Sequence, residues 1–244
     1  MRKLEVKNIS KSFDGKTVLQ NISIELNKGE TVCLLGVSGG GKTTLFNIIS
    51  GLLLPDEGRV FLDGSDITGK SGQVSYMLQK DLLLPYKTVE DNVILPLLLK
   101  GVNKKSARSQ ASALFSQFGL DGVQRKYPAQ LSGGMRQRAA LLRTYMFSQE
   151  VALLDEPFSA LDALTKASMH KWYADIMQKI HLSTLFITHD IDEAILLSDR
   201  IYILSGASGK ISGEIIIKEM KPRSDDFNLT PEFLEYKRQI MLLL

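Results

Sequence analysis

The chain has 244 residues, of which 44% are apolar and 23% charged, and its formal net charge is +3. That is the balance of a globular protein with a sizeable core. No run of like charge is longer than a pair such as Lys104-Lys105, so the basic footprint of a nucleic-acid binder is absent and nucleic acid is not expected as a partner.

The single cysteine, Cys33, lies in the apolar run Thr31 to Leu35. It cannot staple its own fold and reads as inert packing, a usage that suits a reducing cytoplasm. Met1 to Glu5 lacks an apolar leader, and no segment approaches the roughly 20 apolar residues that span a bilayer. A soluble chain is expected, one that serves a membrane process only through a partner.

In chain order, Leu4 to Ile9 and Thr17 to Glu25 read as strands around an Asp14-Gly15 turn. Thr31 to Leu35 is a continuous apolar strand, followed by glycines and then by a helical stretch from Thr43 to Ser50. Arg59 to Leu62 alternates as a strand before the Asp63-Gly64 turn. From about 80 to 148 the pattern turns helical. Thr88 with Asp91 marks one start, Pro96 should kink or end that helix, and Ala107, Ala111, Leu114, Phe115 and Phe118 mark another that stops at Gly119. Strands at Val151 to Leu154, Thr184 to Thr188 and Ile201 to Leu204 then return, with a helix near 163–180. The last residues offer a strand, Glu214 to Lys218, and a helix from about Pro231. The expected fold is α/β, with a parallel-sheet core (1–79 and 149–204), a helical insert (80–148) and a C-terminal piece (205–244).

Gly36-Val37-Ser38-Gly39-Gly40-Gly41-Lys42-Thr43 satisfies G-x-x-x-x-G-K-[ST] between a strand and a helix. Glycines allow backbone N–H groups to close on phosphate oxygens, and the helix start adds its positive dipole end. Lys42 supplies a cation for the β- and γ-phosphates, and the Thr43 hydroxyl can ligate Mg²⁺; Thr44 follows in the same phosphate-binding turn. Val151 to Leu154 ends in Asp155-Glu156, at the sheet edge where ligands bind. Neighbouring strand residues face opposite ways, so Asp155 is expected to serve Mg²⁺ and Glu156 to act as general base toward the attacking water. Leu131-Ser132-Gly133-Gly134-Met135-Arg136-Gln137-Arg138 is a second helix start able to receive an anion. One nucleotide site in one chain has no obvious use for it.

That last segment resembles the signature of the ABC ATPases, and the resemblance runs from about Leu4 to Leu204. It implies a P-loop NTPase core with a parallel sheet, an antiparallel β subdomain and a helical signature insert. It also implies two chains packed head to tail, with Ser132, Gly133 and Gly134 of one closing on the ATP held by the other. By the same resemblance Gln79 touches Mg²⁺ and links the site to the insert, Asp162 lies in the loop that crosses the dimer interface, His189 contacts the γ-phosphate, and Phe13 packs on adenine. Val37 and Met135 stand where the family frequently has proline and glutamine, and neither side chain is needed for amide–phosphate contacts.

Leu82-Leu83-Leu84-Pro85, Asp155 to Asp162 and Thr188 to Ala194 are similar to the ATP-binding subunits of importers for nitrate, sulfonates, taurine and a thiamine precursor. This implies a peripheral subunit on the cytoplasmic membrane face, with a permease and an extracytoplasmic solute-binding protein in the same system. The segment Leu82 to Leu99, Leu83 included, is the expected docking surface for the permease. The alternatives are an exporter or lipoprotein-release ATPase, and a soluble ABC ATPase outside transport. The latter would be expected to carry tandem cassettes, a coiled-coil insert or a basic stripe.

Overall fold

A computed structural model of the chain describes residues 1–148, 150–206, 208–224 and 226–244; the expected boundary at Gln149 lies outside the described residues. Continuous apolar runs make the middle of the main sheet. β3 (Thr31–Gly36), β7 (Val151–Asp155) and β8 (Ser183–Thr188) are buried at every position, as parallel strands covered on both faces must be. With β6 (Ser75–Met77), β9 (Arg200–Ser205) and β10 (Lys210–Ile216) they form a six-stranded sheet in the order β10-β9-β3-β8-β7-β6. Only β10 runs antiparallel to its neighbour.

The strand period of two divides the interior. Cys33 and Leu35 of β3 join Ala152, Leu154 and Phe186 in one core, whereas Val32 and Leu34 join Val151, Leu153, Leu185 and helix α1 (Lys42–Ile49) in the other. Burial pushes the Cys33 thiol pKa well up, in keeping with inert packing. A second, antiparallel sheet, β2-β1-β4-β5, joins β1 (Arg2–Phe13), β2 (Lys16–Asn27), β4 (Glu57–Leu62) and β5 (Ser65–Asp66). The β1–β2 hairpin closes at Asp14 and Gly15, both with positive φ, 48° and 76°.

Between β6 and β7 lie α2 (Val89–Val93), α3 (Leu95–Leu99), α4 (Lys104–Gln117) and α5 (Gly133–Phe147). Thr88 caps α2 by accepting from the Asp91 N–H at 3.2 Å. The helix breaks at Ile94, two residues before Pro96, which has no N–H to continue it. α6 (Ala163–Ile180) and α7 (Ile191–Leu197) cover the main sheet.

The C-terminal residues build onto this frame. β10 forms the sheet edge, and α8 (Pro231–Leu243), capped by Thr230, buries Phe233 and Ile240. Arg223 donates to the carbonyls of Ile195, Leu196 and Ser198 at 2.7 Å each, satisfying the orphan acceptors at the end of α7. The strand begins earlier than expected, at Lys210, and ends at Ile216 rather than Lys218: Lys210 to Gly213 pair with Ser205 to Ile203, and the Ser212 hydroxyl adds a bond to the Ile203 carbonyl at 3.2 Å.

Candidate functional site

β3, β8 and β7 are neighbours in the sheet and end at one edge, so parallel topology delivers the loops leaving all three strands to the same place. After β3 comes the glycine loop. A Cβ on Gly36 would lie 2.5 Å from the Leu204 carbonyl oxygen, and Gly41, which opens α1, has φ 90° and sits against Val18. Both positions exclude a side chain. Lys42 is 6% exposed, and its ammonium donates to the carbonyls of Gly36 and Val37 at 2.8 Å each. Burial lowers its pKa, against the opposing charges of Glu156 and Asp155. Val37, Ser38 and Gly39 are exposed, Gly40 donates to the Val37 carbonyl at 3.3 Å, and Thr43 and Thr44 follow in the first turn of α1.

β7 ends in Asp155, whose Oδ2 accepts from the Thr43 hydroxyl at 3.1 Å. Burial pushes this carboxyl's pKa up; the Glu156 charge adds to the rise, while Thr43, Lys42 and Tyr76 oppose it. Glu156 lies beyond the strand with φ 46°, a backbone state that costs a non-glycine residue about 1–3 kcal/mol. Its N–H is anchored on the Ile187 carbonyl at 3.0 Å. The two acids therefore diverge through this backbone turn rather than through strand alternation. The turn aims the Glu156 carboxylate between two partners: Gln79 Nε2 donates to Oε2 at 3.0 Å, and His189 Nδ1 donates to Oε1 at 3.1 Å. Gln79 follows β6 and His189 follows β8. An acceptor oxygen is thus presented at the sheet edge beside Lys42, Thr43 and Asp155.

The remaining predicted residues lie around this edge. Phe13 is 44% exposed at the hairpin tip, with the Lys11 ammonium 5.5 Å from its ring centre. Ser132 caps α5 through the Met135 N–H at 3.3 Å, with Gly133 and Gly134 in the first turn. Asp162 caps α6 through the Thr165 N–H at 3.0 Å, and those bonds lower its pKa. Among the described residues, no hydrogen bond or ion pair joins 131–138 to the phosphate loop.

Several residues that hold the site escape a reading by motif. Arg143 of α5 donates to the Leu82 carbonyl at 2.8 Å and to that of Asp81, and Arg136 pairs with the Asp81 carboxylate at 3.3 Å. Asn92, fully buried, accepts from the Leu84 N–H and donates to the carbonyls of Leu84, Lys87 and Thr88. Together they tie the segment after Gln79 to the helical region. Asn92 follows two acids, Glu90 and Asp91, so the sequence does not set it apart as buried, and the partner carbonyls leave no signal either.

Leu83 corrects an expectation. It is 7% exposed and belongs to the core, whereas Leu82, Tyr86 and Leu99 are 51%, 73% and 81% exposed. Leu83→Asp is expected to lower stability by about 3 kcal/mol or more through a buried unpaired charge, and Tyr86→Asp by less than about 0.5 kcal/mol, as read by chemical denaturation.

This fold and edge define a nucleotide hydrolase of the phosphate-loop kind: an α/β core, a glycine loop with a buried lysine, and a carboxylate held by an amide and an imidazole. The ABC transporter family matches residues 19–159, and the chain belongs to that family as one of its ATP-binding, ATP-hydrolysing cassettes. It is 38% identical over 251 residues to a nitrate import ATP-binding protein of Synechocystis, covering 99% of this chain and 94% of that one. It is 46% identical over 188 residues to a formylaminopyrimidine import ATP-binding protein of Halalkalibacterium halodurans, covering 77% and 73%. A dimeric ATP-binding cassette solved in a post-hydrolysis state with ADP and Pi superposes with a TM-score of 0.73 at 26% identity, covering 89% of this chain and all of that one.

The donors at the edge also suit Mg²⁺. Thr43 hydroxyl, Asp155 carboxylate and the Gln79 amide oxygen are hard oxygen ligands, and few of them are needed when substrate phosphates and water complete the shell. Among the described residues no group of three His, Cys, Asp or Glu could cage a metal alone.

Proposed function

We propose that this chain is the ATP-hydrolysing subunit of an importer for a small solute of the nitrate, sulfonate, taurine or thiamine-precursor kind. The observation that carries the catalytic part is the Glu156 carboxylate held between Gln79 and His189, 3.0 and 3.1 Å away. The import functions for which the relatives are named support the importer assignment.

In this reading the glycine-loop amides and Lys42 hold the β- and γ-phosphates of ATP, and Phe13 packs on the adenine. Thr43, Asp155 and Gln79 would hold Mg²⁺, which when bound neutralises charge on the phosphate oxygens. Glu156 takes a proton from a water whose oxygen attacks the γ-phosphorus, and the bond to the bridging oxygen of ADP breaks. His189 orients that carboxylate and turns its other ring nitrogen to the γ-phosphate. Ser132 to Gly134 complete the site of a second copy packed head to tail, with Asp162 crossing between them.

The membrane partner docks beside Gln79. The docking surface includes a cavity of about 320 Å³ lined by Leu52, Tyr76, Pro96, Arg143 and Phe147, whose Arg143 holds the Leu82 carbonyl, and the exposed Leu82 and Tyr86 of the segment after Gln79. Arg143 and Arg136 then carry a push on the segment after Gln79 into α5, the helix that starts at Ser132. No helix among the described residues is long and apolar enough to cross a membrane, so the permease supplies the path and an extracytoplasmic binding protein supplies the solute. The subunit works at the cytoplasmic face.

Ser132→Arg tests the two-copy site. It is expected to leave ATP affinity within about twofold and to abolish turnover, because a bulky cation at the start of α5 blocks closure without touching the chain's own loop. Turnover near the wild-type rate would sink the reading. Copurification of the tagged chain from gently solubilised membranes tests the importer part; a multi-span permease with a solute-binding protein is the expected result, and ribosomes in their place would overturn it.

A further inference from the structure

Behind the His189 turn lies a polar network, centred on a buried carboxylate, that none of these roles uses. Glu193, in the first turn of α7, is 2% exposed. Its Oε1 lies 3.1 Å from His170 Nε2 and 3.0 Å from Lys166 Nζ, and its Oε2 accepts from the Thr188 hydroxyl. Lys166 also donates to Asp190 Oδ2 at 2.7 Å. Asp190 in turn caps α7 through the Asp192 and Glu193 N–H groups, and its own N–H reaches Thr188 Oγ1 at 3.1 Å. Burial opposes ionisation of Glu193, but hydrogen bonds from His170, Thr188 and Lys166 outweigh it and hold its pKa below the usual value.

A buried anion is a poor way simply to join two helices, since a packed apolar pair does as well or better. What a glue between α6 and α7 leaves unexplained is the choice of partners. Thr188 and Asp190 are the two residues flanking His189. Lys166 and His170 stand one turn apart on α6, and Lys166 is four residues from the Asp162 cap at the interface loop. The His170 ring packs edge-on against Phe158 at 4.9 Å, two residues past Glu156. A polar network whose members are all hydrogen-bonded is stiff, and this one spans from the start of α6 to both sides of the His189 turn.

We propose that Glu193 is a positioning residue for ATP hydrolysis, fixing His189 against Glu156 according to where the start of α6 is placed when the Asp162 loop meets the second copy. This rests on the role given to His189 above. Only a carboxylate accepts from Lys166, His170 and Thr188 together; an amide of the same size turns an NH₂ toward at least one of those donors.

Glu193→Gln and Thr188→Val, made in the full chain, are the test, with kcat, the KM for ATP and Tm measured for each and for His189→Ala. Both variants are expected to keep KM within about twofold and to lose about 10- to 100-fold in kcat, the scale of a misplacement of about 1 Å. Added to His189→Ala, Glu193→Gln is expected to cost no further kcat, a non-additivity that plain destabilisation does not produce. Should Glu193→Gln fail to fold, Thr188→Val carries the same comparison. Wild-type kcat in these variants beside an impaired His189→Ala would overturn this inference alone, as would a full additional loss in the His189→Ala background. Undiminished kcat in His189→Ala would overturn the role of His189 and this inference with it.

Discussion

Glu156→Gln is expected to bind ATP with near wild-type affinity and to hydrolyse it about 10²–10⁴-fold more slowly, the usual worth of a general base. The substitution keeps length and shape: the amide oxygen accepts from one of the two donors that Glu156 holds at 3.0 and 3.1 Å, Gln79 or His189, and its NH₂ meets the other, which turns an acceptor to it by an amide flip or a change of tautomer. What disappears is a group able to take the proton of the attacking water. The phosphate loop is untouched: Lys42 and Asp155 keep their own contacts. With binding intact and chemistry blocked, the ATP-closed dimer should accumulate, visible by light scattering as a doubling of mass with ATP and its absence with ADP. A variant within tenfold of wild-type turnover would remove Glu156 from the proton-transfer role, and a monomer at every ATP concentration would count against the two-copy site.

Lys42→Ala acts earlier, on binding itself. The ammonium is the one side-chain cation inside the glycine loop, and it holds two loop carbonyls at 2.8 Å. Each charge-assisted hydrogen bond to phosphate is worth about 1.5–3 kcal/mol, so losing two of them weakens ATP by about 100-fold or more. The carboxylates beyond it deepen the loss. Asp155 and Glu156 both sense the Lys42 charge, and without it their field meets the phosphates unopposed. Titration calorimetry reads the affinity directly. A dissociation constant within threefold of wild type would mean that the loop amides alone carry the phosphates.

The two substitutions separate binding from chemistry, and the residues behind them are visible to very different degrees in the chain. A phosphate loop is legible because its physics is local: contiguous residues supply the amides, the helix start, the lysine and the hydroxyl. The core strands β3, β7 and β8 are equally legible, since continuous burial on both faces imposes an unbroken apolar run. The cap at Thr88 and the Asp14-Gly15 turn belong to the same class, as each satisfies backbone within a few residues. β6, with only Ser75 to Met77, and α7, with seven residues, are not legible, because so few positions carry no readable period.

Amino-acid order by itself thus determined the nucleotide loop, the main strands, and a second glycine-bearing helix start capped by Ser132. Only the tertiary structure decided what those pieces meet. Gln79, Glu156 and His189 are separated by 77 and 33 residues and converge because parallel strands end at one edge. The left-handed turn at Glu156, the burial of Leu83 beside exposed Leu82, and the arginine clamp from α5 depend on neighbours distant in the chain. The physical reason is that periodicity and capping act within a turn or a strand. Side-chain burial, backbone strain and hydrogen bonds to remote carbonyls exist only once the sheet has brought the segments together.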